Sequence, residues 1–287
     1  MAREVLISDT VIELAEPARI PERTFVGRAE ELQMCRVAWG VRPDGTDFID
    51  SDVPPLSFRL EGAPGLGKNE IVYEIARRLG LPLYIIQGHE ELTPEDLVLL
   101  LTPNPKAEYS DSVPALTLRA SPLSTALYTG GLFFFDEINR VPERALSPLA
   151  SVLDGRQYIY SAMAGINIGP PNQEARKSFR FCCALNPSLS NAGHVLPEYI
   201  EQRTLPVIEI DHPPFEDLHQ IIQASLDPSP DFLSAFTEWY QQEERADVSV
   251  RQAIALMNYA MSYEQQVGGA KLGVLQKVSS FILGRKS

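Results

Sequence analysis

The run Gly62-Ala-Pro-Gly-Leu-Gly-Lys68 constrains this chain more than any other stretch. Before it, Leu56-Ser-Phe-Arg-Leu60 reads as a short strand. After it, residues 69–79 place Ile71, Ile75 and Leu79 at four-residue spacing, with Gly80 as a stop, and read as a helix. Strand, glycine turn and helix are the setting in which G-x-x-x-x-G-K wraps a phosphate. Glycines let the backbone close around an anion so that amide N–H groups face it, and the helix N-terminus adds a favourable dipole. The expected ligand contacts are Gly62, Ala63, Pro64, Gly65, Leu66, Gly67 and Lys68, with Asn69 and Glu70 opening the helix. Lys68 brings positive charge to the β and γ phosphates of a nucleotide such as ATP. One position departs from the pattern: Asn69 stands where Ser or Thr supplies a hydroxyl to Mg²⁺. A carboxamide oxygen is a competent ligand for a hard cation, so binding is expected to survive, while the metal geometry and the rate are open.

Four more strands are expected at 83–87, 131–136, 179–185 and 205–210, joined by helices. That order predicts an α/β domain with a mostly parallel five-stranded sheet flanked by helices. Beyond about residue 212 the pattern is helical only, with helices expected near 215–226, 231–246, 249–266 and 272–284. The predicted division is therefore a core over 1–212 and a small all-helical lid over 213–287, hinged at Asp211-His-Pro-Pro214. Two insertions interrupt the core: a Pro-rich loop over 102–120 and a hairpin over 156–169 turning near Met163–Gly165.

Leu132-Phe-Phe-Phe-Asp136-Glu137 is an apolar strand ending in two carboxylates. In P-loop chemistry the first, Asp136, holds Mg²⁺, and the second, Glu137, polarises the attacking water as general base. The ligand side of a parallel sheet is where its strands end, so both acids belong beside the phosphate loop. Gln87, ending the second strand, could link to Glu137; His89 is assigned no chemistry.

The segment from Ser121 to Arg140, ending Phe-Phe-Phe-Asp-Glu-Ile-Asn-Arg, resembles the second acidic motif of MoxR-type AAA+ ATPases. Phe25-Val-Gly-Arg-Ala-Glu-Glu31 resembles the segment lying over the adenine, which implies nucleotide contacts at Val26 and Gly27. His89–Leu97 resembles the loop after the second strand in the CbbQ/NorQ branch. Asn186 falls at the sensor-1 position, Arg203 at the arginine finger, and Arg251 at sensor 2 in the lid. The resemblance implies that Asn186 meets the attacking water or γ-phosphate. It implies that Arg203 reaches a neighbouring subunit's ATP, and that Arg251, on a helix face with Val250, Ile254, Met257 and Met261, touches nucleotide. It further implies a ring, expected to be a hexamer, remodelling a protein client in chaperone-like fashion. A von Willebrand factor A domain partner commonly accompanies such ATPases. The hairpin would face the pore, although Tyr158 and Tyr160 equally suit ordinary strand packing.

Lys plus Arg number 25 against 38 Asp plus Glu, a net charge of −13. Such a surface argues against broad nucleic-acid binding. No stretch of eighteen apolar residues predicts a membrane span, the first residues lack a secretion signal, and the expected location is the cytoplasm. Cys35, Cys182 and Cys183 have spacings that suit neither zinc nor a disulfide framework and read as buried small hydrophobes. Two rival readings stay open: a nucleotide-binding switch with little turnover because of Asn69, and a nucleic-acid motor. For the latter, the insertions offer only Arg156, Arg176, Lys177, Arg180, Lys106 and Arg119.

Overall fold

A computed structural model of the chain describes residues 3–50, 54–104, 107, 114–187, 194–242 and 248–283. The chain falls into two compact units. One comprises Met1–Ile20, Glu31–Glu61 and Val72–Glu209, the other Pro21–Glu30, Gly62–Ile71 and Ile210–Ser287.

The first unit opens with strands β1 (Glu4–Ile7) and β2 (Thr10–Glu13) and helix α1 (Ala29–Trp39). Strand β3 (Phe58–Glu61) leads into the glycine run and helix α2 (Lys68–Leu79), whose first four residues count with the second unit. There follow β4 (Leu83–Gln87), β5 (Leu99–Pro103), β6 (Leu116–Ala120), α3 (Pro122–Thr129), β7 (Leu132–Asp136) and α4 (Leu149–Leu153). The unit ends with β8 (Ile159–Ser161), β9 (Ile166–Ile168), α5 (Gln173–Ser178), β10 (Arg180–Leu185), α6 (Glu198–Glu201) and β11 (Val207–Glu209).

The five expected strands form one sheet in the order β11-β3-β10-β7-β4, with every neighbouring pair parallel. The central strands carry no polar face because helices and loops cover both sides. Phe133, Phe134 and Phe135 are fully buried. Successive strand residues point to opposite faces: Phe133 and Phe135 join the cluster containing Leu123, Leu127 and Ile138, and Phe134 faces the other way. Trp39 packs on Phe58 at 5.0 Å between centroids and donates its indole N–H to Phe181 O at 3.0 Å. Cys35, Cys182 and Cys183 are buried free thiols, as their spacing suggested. Burial raises the thiols, Cys183 to about 12.

The region read as a loop over 102–120 differs from expectation. Its ends are strands β5 and β6, paired antiparallel, and β6 also pairs in parallel with β2 in a second sheet of order β1-β2-β6-β5. Prolines concealed the pattern, yet Pro103 ends β5, where a missing N–H costs little. Residues 105, 106 and 108–113, including Lys106, lie outside the described residues. The expected hairpin is present as β8 and β9, antiparallel, with Gly165 at φ +67° in its turn.

In the second unit α7 (Phe215–Leu226), α8 (Pro230–Gln242), α9 (Val250–Val267) and α10 (Lys271–Leu283) bury Leu218, Phe236, Trp239, Leu256, Met257 and Leu275 among them. The expected extensions of α8 to 246 and of α10 to 284 fall on residues outside those described. The buried face of α9 is Ala253, Leu256, Met257 and Ala260. It is not centred on Val250, Ile254, Met257 and Met261; Ile254 is half-buried. Val250 and Met261 pack against the same cluster at its margin.

Candidate functional site

The glycine run and its surroundings belong to the second unit. Three successive carbonyls of the run are each engaged by a donor. Gly65 O accepts from the Arg251 amide at 3.2 Å, Leu66 O from the Arg28 guanidinium at 3.1 Å, and Gly67 O from the Ile71 amide at 3.3 Å. In a trans peptide the N–H points opposite to the C=O. Fixing these carbonyls therefore turns the amides of Leu66, Gly67 and Lys68 the other way, as an array of donors. Lys68, 7% exposed, donates its ammonium to Gly62 O at 2.6 Å and Ala63 O at 3.1 Å. Pro64 is exposed and Leu66 buried; Asn69 and Glu70 are half-buried in the first turn of α2, where Glu70 pairs with Arg23 at 3.3 Å.

The start of α9 sits against this run. Ser249 caps it in a reciprocal capping box with Gln252. Gly65 has φ +82°, and a Cβ there would lie 2.9 Å from Arg251 Cβ and 3.1 Å from Ser249 Oγ, so only glycine fits without displacement. The structure thus brings Arg251 to the run through its main chain. Its side chain is exposed. Val26 and Gly27 are half-buried in the same unit.

The acids belong to the first unit. Because its sheet is parallel, all five strands end at one edge, with Gln87 in register with Asp136 and Leu185 with Glu61. Glu137, at φ +52°, follows β7, and Asn186 follows β10. Asn186, 3% exposed, donates Nδ2 to Glu137 Oε1 at 3.1 Å. Gln87 Nε2 reaches Glu137 Oε2 at 3.5 Å, at the limit of a hydrogen bond. Arg140 Nε lies 3.1 Å from the same oxygen, an ion pair whose N–H does not point along the hydrogen-bond direction. The Asn139 amide donates to Asn186 O at 3.4 Å, holding Asn186 from behind. Sequence reading left Arg140 and Asn139 without roles. The three-residue offset of Arg140 from Glu137 was the available signal.

Arg203 is exposed just beyond α6 and donates to Tyr199 O at 3.0 Å. Asp154 is held below the usual carboxylate range chiefly by its hydrogen bond from Arg156, with the Arg203 charge a smaller contribution. Several other basic residues of this region are engaged within the unit. Arg176 donates to Gly155 O, and Arg119 pairs with Glu13. Arg180 is buried over the Phe48 ring, and desolvation lowers it to about 10.

A polyphosphate fits the second unit's run: an outward array of amides, an ammonium beside it and a helix N-terminus. Among the described residues no cluster of three or more His, Cys, Asp or Glu could hold a metal by itself. Of the ligands expected from the sequence, Asp136 ends β7 in the first unit and Asn69 lies in the first turn of α2, in the second.

The model of the AAA domain (dynein-related subfamily) matches residues 57–204. The chain is 24% identical over 212 residues to the denitrification regulatory protein NirQ of Stutzerimonas stutzeri, covering 74% of this chain and 67% of that one. It is 27% identical over 164 residues to protein NorQ of Paracoccus denitrificans, covering 57% and 54%. The chain thus spans from about half to two-thirds of the length of these relatives. Among solved structures, the RuvB Holliday junction branch migration motor of Thermotoga maritima superposes with a TM-score of 0.54 at 16% identity, covering 92% of this chain and 72% of that one. At that identity the likeness concerns fold alone.

Proposed function

Since the chain belongs to the dynein-related AAA domain family, and its NirQ and NorQ relatives agree with the MoxR-type resemblance, we propose that it binds and hydrolyses ATP and uses the cycle to remodel or activate a protein client. The observation that carries this reading is the array at 65–68, in which three successive carbonyls are each engaged by a donor, which turns the amides of the same peptides to the opposite side, where phosphate oxygens would lie. Lys68 would exchange its two carbonyl partners for β and γ oxygens. Asp136 is the proposed carboxylate ligand of Mg²⁺ and Asn69 a proposed carboxamide ligand; the ion would supply charge neutralisation at the transferred group. Glu137 would take a proton from the attacking water, with Asn186 fixing its carboxylate. Val26, Gly27 and Arg251 would contribute to nucleotide binding.

Arg203 is exposed, with its guanidinium held to Tyr199 O, and that exposure supports action on a neighbouring subunit's nucleotide. A ring, proposed as a hexamer, follows from that need for a cation supplied in trans. The proposed division is a core over 1–212 with a lid over 213–287. A von Willebrand factor A domain protein is the proposed partner class and the cytoplasm the proposed location. No helix among the described residues is long and apolar enough to cross a membrane.

Phosphate release by the purified chain, with Glu137→Gln as control, tests the reading. Release that vanishes in Glu137→Gln supports hydrolysis. Equal rates in both favour the second reading, a slow nucleotide switch, which the Asn69 replacement recommends. A nucleic-acid motor is disfavoured by the engagement of Arg119, Arg156, Arg176 and Arg180 within the protein. DNA-stimulated, salt-sensitive hydrolysis would reverse that judgement.

A further inference from the structure

We propose that Arg28 is a positioning residue for the phosphate loop: its guanidinium sets the Leu66–Gly67 peptide so that the Gly67 amide faces the polyphosphate. This deepens the nucleotide reading of 62–68 and rests on it. Of the three pinned carbonyls, Gly65 O and Gly67 O accept from main-chain amides, which any residue supplies, whereas Leu66 O accepts from the Arg28 side chain. The Leu66–Gly67 peptide is also easily turned over. Gly67 sits at φ +92°, and glycine adopts positive and negative φ about equally readily, so its own torsion does little to oppose a flip of that plane. A flip would point a carbonyl, not an amide, at the phosphates.

The placement of Arg28 is itself fixed. Its Nη2 donates to Asp211 O as well as to Leu66 O, bridging the run to the segment that leads into α7. Its backbone lies at φ +56°, sparsely populated by non-glycine residues, which indicates that surroundings impose the conformation. Gly27 beside it packs so closely on Asp217 of α7 that a Cβ would come within 2.3 Å of the carboxylate oxygen. The turn at 27–28 is thereby braced from α7, and it aims the guanidinium at one loop carbonyl.

Without Arg28, only the unflipped fraction of loops can bind, and apparent affinity falls by that fraction. Loss of a hydrogen bond from a charged donor makes a fall of about tenfold the expected scale. Titrating the full chain with fluorescent ATP and ADP analogues tests this. Arg28→Ala is expected to weaken both nucleotides about tenfold and equally, because the β-phosphate is common to them. Arg28→Lys, which retains one donor, is expected to fall between. Added ethylguanidinium is expected to restore affinity to Arg28→Ala, an effect that a merely structural loss would not show. Wild-type affinity in Arg28→Ala, while Lys68→Ala loses binding, overturns the role of Arg28 and leaves the nucleotide reading intact. Weakened binding that ethylguanidinium and Arg28→Lys both fail to recover also overturns it. Unchanged affinity in Lys68→Ala overturns both.

Discussion

Replacing Asn186 separates binding from chemistry. The side chain is almost wholly buried and spends its amide on Glu137 at 3.1 Å. A hydrogen bond to a charged acceptor contributes about 1.5–3 kcal/mol, so Asn186→Ala is expected to lower kcat roughly 10- to 100-fold. Asn186→Asp keeps the shape but sets a second carboxylate at the same place. At 3.1 Å, two unit charges repel by about 5 kcal/mol at an effective dielectric of 20. Glu137 retains some solvent contact, which makes that an upper bound. The aspartate should therefore be the more damaging substitution, despite being the closer isostere. Nucleotide affinity should change less than twofold in both, because the bond lost is the one to Glu137 and the phosphate-binding run at 62–68 is untouched by the substitution. Phosphate release under saturating ATP, paired with equilibrium nucleotide titration, measures the two quantities. Near wild-type turnover in both variants would refute the positioning of Glu137 by Asn186. So would an Asn186→Ala defect confined to affinity.

Three further outcomes are expected. Arg203→Ala and Glu137→Gln should each be inactive alone, and mixing the two proteins should recover part of the phosphate release; no recovery would mean that Arg203 does not act across subunits. Asn69→Thr restores a hydroxyl at the metal position and should raise kcat severalfold without tightening ATP; an unchanged rate would show that the carboxamide is no handicap. Gly65→Ala forces a side chain into left-handed backbone and to within 2.9 Å of Arg251 Cβ, at a cost of about 1–2 kcal/mol for the backbone alone. It should lower both the melting temperature and ATP affinity, and a melting curve identical to wild type would contradict the packing described.

The sheet was legible because β7 and β10 are continuous apolar runs between turn signals, a pattern that only doubly covered parallel strands require. The second sheet was not. Strands β1 and β2 are four residues each, too short for alternation to stand out, and the prolines around 103–114 spoke for a loop. On α9 the expected apolar residues pack at the margin of the core and Ala253 and Ala260 complete its buried face, because alanines carry little weight in a hydrophobic pattern. At the site, residue types at characteristic spacing singled out Lys68, Asp136 and Glu137 as candidates, since the chemistry of phosphoryl transfer asks for them. What pins the loop was hidden. Arg28, Leu66 and Asp211 are far apart in sequence and meet through main-chain carbonyls, which leave no trace in residue identity.

The central claim is that the 62–68 run is a nucleotide cradle with Lys68 as its cation. Equilibrium binding of a fluorescent ATP analogue to the intact chain and to Lys68→Ala tests it most directly. The account predicts saturable binding by the former and a loss of at least an order of magnitude in the latter, with the fold retained by circular dichroism. Equal affinity in the two folded proteins, or no binding by either, would contradict it.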